Sequence, residues 1–287
     1  MAGLFRQAAA LHKIIGLVGL PRSGTTLLSS ILAVHPRIEA VYEPWNRGVN
    51  DVLQQARPDI RLDEFITQFA GSIGGKDVLL VKETATHLTY LDNVARLLRA
   101  AAPAIDTDLI VVWRDPFHVF LSEIEARQKW WGNPDVVISA REFDRWADPR
   151  AGGLGRMIGF GREFNGLVVF YEALVGDKDR VVPALMNELG LGFDPRQEQY
   201  EKYLDTKKVR GDISIVTQPS PISDLSTRQR GRQLLEVRET IKDAAWYERV
   251  AAAADAMSAI GGSGVARFGA RALTDAAAQV MKMLWAD

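Results

Sequence analysis

The 287-residue chain is 47% hydrophobic, enough to bury a sizeable core in one large domain, and this composition excludes a disordered chain. Its 35 basic and 36 acidic residues leave a formal charge of -1, so no global positive field recruits nucleic acid or an anionic membrane, and any anion site has to be built locally. Cysteine is absent, which excludes a disulfide framework, a thiolate metal site and a cysteine nucleophile.

The first element is the apolar run 14–19, which reads as a buried strand. The apolar run as a whole, 14–20, is far too short to span a bilayer and ends in Pro-Arg-Ser-Gly, not a small-residue cleavage site, so a soluble, cytoplasmic protein is expected. Residues 25–34 have the apolar spacing of a helix that His35-Pro36 stops. Strand-like runs follow at 38–42, 78–81, 109–113 and 167–171, with helix-like stretches at 63–69, 90–101, 116–130 and 181–189. This alternation predicts an α/β fold, a parallel sheet covered by helices on both faces. Residues 209–226, rich in Ser, Pro, Thr and Asp, read as a long loop of the kind that covers a ligand. From 232 onward the chain is Ala-rich and reads as helical, broken at Gly261-Gly262-Ser263-Gly264. The expected organisation is a core domain over 11–232 and a helical C-terminal extension over 233–287 that could pack on the core, form a homo-oligomer or touch a partner.

Between the first strand and helix lies Gly19-Leu20-Pro21-Arg22-Ser23-Gly24-Thr25-Thr26. Gly19 and Gly24 have the spacing of a P-loop, which wraps backbone N–H groups around a phosphate at a helix N-terminus. Thr25 stands where a nucleotide triphosphatase needs Lys, which argues against ATP or GTP hydrolysis. Arg22 can supply the cation instead. A sulfuryl group carries less negative charge than a terminal phosphoryl, so one cation and the helix dipole are a sufficient complement without a metal. The plainer alternative is a tight strand-to-helix turn. Further along, the run 109–113 ends in Arg114-Asp115-Pro116, and Pro116 suits the first turn of a helix that carries Ser122. Arg114 and Ser122 could converge on an isolated phosphate. Alternatively Arg114 pairs with Asp115 and Ser122 is an exposed helical hydroxyl, or Asp115 imitates the magnesium-holding acid of an ATPase.

These segments resemble the PAPS-dependent sulfotransferases, closest in motif style to the tyrosylprotein and carbohydrate sulfotransferases. The string from Pro21 to Thr26 is similar to the family's 5′-phosphosulfate loop, which implies that Arg22, Gly24, Thr25 and Thr26 hold the phosphosulfate of PAPS, with Ser23 nearby. Arg114-Asp115-Pro116, with Ser122 eight positions after Arg114, is similar to the family's 3′-phosphate motif. Tyr171-Glu172-Ala173-Leu174 resembles a Tyr-Glu-x-Leu element whose Tyr lies beside the donor nucleotide; a core aromatic is the alternative for Tyr171. The resemblance implies a P-loop NTPase-like three-layer fold with a central parallel sheet.

Sulfuryl transfer needs a base for the acceptor's proton and a cation near the leaving phosphate's bridging oxygen. Glu43 ends the strand-like run 38–42, at the sheet edge where open α/β folds bind ligands, and by the resemblance it is the base. Lys82, after 78–81, resembles the family's Lys that contacts the transferring sulfuryl, and His87 is the second choice for base. Several features depart from the family: Thr227-Arg228-Gln229-Arg230-Gly231-Arg232 lacks the Trp of the corresponding region, and Trp130-Trp131 is left unassigned between acceptor stacking and packing. The expected enzyme moves a sulfuryl group from PAPS to an acceptor hydroxyl or amine without a metal, the acceptor being a small molecule, glycan or peptide. The rivals are a P-loop phosphotransferase or kinase and a non-catalytic nucleotide-binding protein.

Overall fold

The computed structural model describes residues 11–45, 75–85, 88–148, 154–207, 209, 231–268, 275 and 277–278. In chain order the elements are β1 (Lys13–Gly19), α1 (Thr25–Ala33), β2 (Ile38–Tyr42), β3 (Val78–Thr84), α2 (Leu88–Ala101), β4 (Asp106–Trp113), α3 (Pro116–Lys129), α4 (Ala140–Ala147) and α5 (Leu154–Glu163). They continue with β5 (Leu167–Phe170), α6 (Tyr171–Gly176), α7 (Lys178–Glu188), α8 (Tyr200–Tyr203), α9 (Gly231–Ile241), α10 (Tyr247–Ser258) and β6 (Val265–Arg267). The sheet has six strands in the order β2-β3-β1-β4-β5-β6, all parallel except the β5–β6 pair.

Strands buried on both faces must be apolar at consecutive positions, and β4 shows how the two faces divide. Leu109, Val111 and Trp113 join the core that α2, α3, α4, α5 and α10 cover, while Ile110 and Val112 join the one under α1 and α7. Gly16 of β1 lies under α2, where an added Cβ would come 2.9 Å from Val94 Cγ1, so the absence of a side chain sets how closely α2 approaches the sheet. The sheet covered by helices on both faces that the alternation predicts is the one observed, parallel except for β6 at its edge.

Some boundaries differ from the sequence reading. β5 stops at Phe170, and Tyr171 opens α6 instead of closing the strand. The tail expected to be helical forms α9 and α10 and then, after a break at Gly261–Ser263, the strand β6. Arg180 of α7 donates to the carbonyls of Ser263 and Gly262, and Asp144 of α4 accepts from the amides of Ala245 and Trp246. Phe268, just past β6, lies flat on α5, where a Cβ at Gly161 would fall 2.1 Å from its ring. The stretch 63–69 and, apart from Val209, the loop 209–226 lie outside the described residues.

Gly161→Ala has to push Phe268 off its seat and should cost about 1–3 kcal/mol of stability. Gly262→Ala, where an added Cβ meets nothing within 4 Å, should be close to neutral. Thermal unfolding of the two variants checks the contrast.

Candidate active site

The strands end level with one another, which is what brings residues distant in sequence together. Leu17 lies opposite Lys82 on one side and Ile110 on the other, Tyr42 lies opposite Lys82, and Trp113 opposite Phe170. The segments after β1, β2, β3 and β4 therefore leave the sheet along one carboxyl edge, the edge at which open α/β sheets hold ligands.

After β1 the chain turns tightly: Ser23 N donates to Leu20 O at 3.1 Å, and Arg22 and Gly24 both take positive φ (68° and 100°). Gly24 caps α1 with no side-chain hydrogen bond, and no acid occupies that helix's first turn, so the positive end of its dipole is not offset by a carboxylate there. Gly24 also lies under the Tyr171 ring, where a Cβ would fall 2.3 Å from Cδ2, and both its φ and this contact call for glycine. Ser23 Oγ is buried with no hydrogen-bond partner among the described residues. A buried hydroxyl of this kind retains the capacity to bond a further oxygen atom at the turn.

Arg22, Arg114, Ser122 and Tyr171 form one cluster. Arg114 Nη1 donates to Arg22 O at 2.8 Å, its guanidinium lies 4.3 Å from the Tyr171 ring centroid, and Arg22 Nε donates to Ser122 Oγ at 3.2 Å. The carboxylate of Asp115 accepts from Phe117 N and His118 N as the N-cap of α3 and lies 3.5 Å from Arg238 Nη2. Arg238 of α9 also stacks on Phe117, so α9 is clamped over the start of α3, beside Arg114. Glu172 accepts from Asp115 N at 3.1 Å, and burial pushes its carboxyl up from the ordinary value.

The second cluster lies at the ends of β2 and β3. Lys82 is fully buried and its ammonium is paired with the carboxylate of Glu43, itself nearly buried. Glu43 N donates to Lys82 O at 2.7 Å, and Glu43 has a φ of 48°. Glu83, the next residue of β3, is fully buried too and accepts from Thr84 N at 3.0 Å and Trp45 N at 3.4 Å. Burial first, and then the charge of Glu43, push its carboxyl up to about 8. The two clusters are joined through the backbone, as Ala85 N, just beyond β3, donates to Gly19 O at 2.8 Å.

Of the residues singled out in the sequence, Thr25 and Thr26 are buried at the start of α1. His87, Arg228 and Arg230 lie outside the described residues, and Arg232 is an exposed residue of α9 within 3.5 Å of Glu236. Glu83 and Glu172 were not anticipated, since an acid in or beside a strand carries no sign of burial. Trp130, half exposed at the end of α3, lies 5.4 Å from the Arg22 guanidinium; the Trp130-Trp131 pair was its only sequence signal.

Residues 15–71 match the family model described as Sulfotransferase family, a segment that includes the anion loop and Glu43. No curated protein matches the chain. Among solved structures it is similar to the sulfotransferase domain of the Synechococcus PCC 7002 olefin synthase, at 20% identity over 81% of this chain and 95% of that one, with a TM-score of 0.54. It is also similar to mouse sulfotransferase SULT7A1 complexed with PAP (13% identity, 86% and 91% coverage, TM-score 0.47) and to sulfotransferase STF1 of Mycobacterium tuberculosis (14%, 83% and 79%, 0.49). The segment that builds the Gly19–Thr26 loop is thus similar to the sulfotransferase family, and the chain shares the α/β fold of the olefin synthase's sulfotransferase domain.

Because folded Glu83 holds a proton that the unfolded chain releases, stability should fall as pH rises from about 4.5 toward about 8. Glu83→Gln, which cannot ionise, should flatten that slope. Urea unfolding of both proteins across the window measures it.

Proposed function

We propose that the protein transfers a sulfuryl group from PAPS to an acceptor hydroxyl or amine and releases PAP. The observation that carries this reading is the pairing of Glu43 with Lys82 at the sheet edge that also holds an anion loop with Thr25 in place of Lys. A base and a cation side by side are what in-line sulfuryl transfer asks of a protein.

Glu43 takes the proton of the acceptor as its oxygen or nitrogen bonds to sulfur. Lys82 and Arg22 stabilise the charge that accumulates as the bond from sulfur to the bridging oxygen breaks and PAP departs with that electron pair. Lys82 is committed to Glu43 in this structure, so it reaches the sulfuryl group by loosening that pair. The α1 N-terminus with Arg22, Ser23, Gly24, Thr25 and Thr26 receives the 5′-phosphosulfate, Arg114 and Ser122 receive the 3′-phosphate, and Tyr171 lies beside the nucleotide. Arg22 releases Ser122 when the donor arrives, since the hydrogen bond between them joins the two phosphate-binding regions. The acceptor is a small molecule, a glycan or a peptide.

Calorimetry with PAP, against ATP plus magnesium, tests the donor assignment. PAP should bind the wild type, and Arg114→Ala should weaken it by roughly ten- to a hundredfold, the worth of a hydrogen bond to a charged group. A wild type that ignores PAP overturns the reading. Glu43→Gln should retain PAP affinity while transfer falls by roughly 10²–10⁴-fold, the usual contribution of a general base.

A further inference from the structure

We propose that Glu83 is a positioning residue, which holds the Glu43-Pro44-Trp45 turn against β3 and so keeps the carboxylate of Glu43 aimed at Lys82. The proposal rests on the roles given above to Glu43 and Lys82.

The face of β3 that carries Glu83 is otherwise apolar: Leu79 and Val81 precede it at every second position in the core that Trp45 also joins. An aliphatic side chain would suit that environment, and a carboxyl group there carries a desolvation cost. What the carboxyl group gains is two backbone donors, Thr84 N on its own strand and Trp45 N on the turn that follows β2. The second bond spans two strands and ends two residues past Glu43. That turn needs holding, because a non-glycine residue in the left-handed region costs about 1–2 kcal/mol and Glu43 adopts φ 48°. Among the contacts that oppose the strain are Glu43 N to Lys82 O, the Glu43–Lys82 ion pair, and Trp45 N to Glu83. The first two belong to the reacting residues themselves. Glu83 alone among these partners acts from outside them.

Its protonation suits this work. Among the described residues the charged groups facing it are Glu43 and Lys82, and a carboxyl that titrates at about 8 stays neutral near pH 7, accepting hydrogen bonds without setting a second negative charge beside Glu43.

Crystal structures of the wild type, Glu83→Met and Glu83→Gln test the idea. In Glu83→Met, which fills the space but accepts from neither amide, residue 43 should leave positive φ and its carboxylate should move beyond ion-pair range, about 4 Å, of Lys82. Glu83→Gln keeps an acceptor and should retain the wild-type turn. A Glu83→Met structure with the turn and the pair unchanged overturns the proposal. In turnover of PAPS, Glu83→Met should lower kcat by about tenfold or more with KM and PAP affinity little changed, and Glu83→Gln should rescue it. If Glu83→Met does not fold, the Glu43 carboxylate is followed by ¹³C NMR against pH. It should respond near pH 8 in the wild type and not in Glu83→Gln, and identical curves refute the role. Failure of the wild type to bind PAP would instead strike the donor assignment, leaving the structural result for Glu83 to be read separately.

Discussion

β1 hydrogen-bonds to β3 on one side and to β4 on the other over the same seven residues, Lys13 to Gly19, and this shared register fixes the height at which every neighbouring segment leaves the sheet. At the amino end it is held by Lys13, whose ammonium is buried against Asp108, Asp106 and the carbonyl of Leu189 at the end of α7. A slip of one residue along β1 would turn its apolar side chains to the opposite faces and separate Gly19 from Ala85 N. With the register set, Arg22, Lys82, Glu43 and Arg114 collect along one edge although more than ninety positions separate the first from the last, Arg22 and Arg114.

Much of the charge gathered at this edge is engaged within the protein. Arg22 holds Ser122, Arg114 holds the backbone of Arg22, and Lys82 holds Glu43. Buried cations and carboxylates are costly without partners, so a fold that gathers them must let them neutralise one another. Under the proposed function each of these contacts is exchanged for one to the donor, and affinity is then the difference between two sets of charge-assisted bonds.

Much of the fold was legible because buried parallel strands advertise themselves as unbroken apolar runs: β1, β2 and the centres of β3 and β4 stand out in the sequence, as does the helix after the loop. β6 was not legible, since three half-buried residues in an Ala-rich tail have no strand signal apart from the partner strand that pairs with them. Tyr171 was misassigned because an aromatic after Leu-Val-Val-Phe extends a strand pattern, while the chain in fact turns into α6 at that residue. The loop and the Arg114 segment were visible from residue types at fixed spacing. Glu83 was hidden, because what sets it apart is its burial and its bond to an amide just past the neighbouring strand β2, neither of which any local pattern encodes.

The short strand β6 has a consequence beyond its three residues. It covers the outer side of β5, whose Leu-Val-Val-Phe is buried throughout, and it runs antiparallel, so it ends the sheet with half-buried Val, Ala and Arg side chains. A chain cut short before Val265 would present β5 as a bare, apolar edge whose unpaired amides and carbonyls are open to a strand from another molecule. The segment that closes this edge also reaches toward the Gly19–Thr26 loop, since Gly264 O, just before β6, accepts from Phe170 N, and the next residue, Tyr171, packs on Gly24.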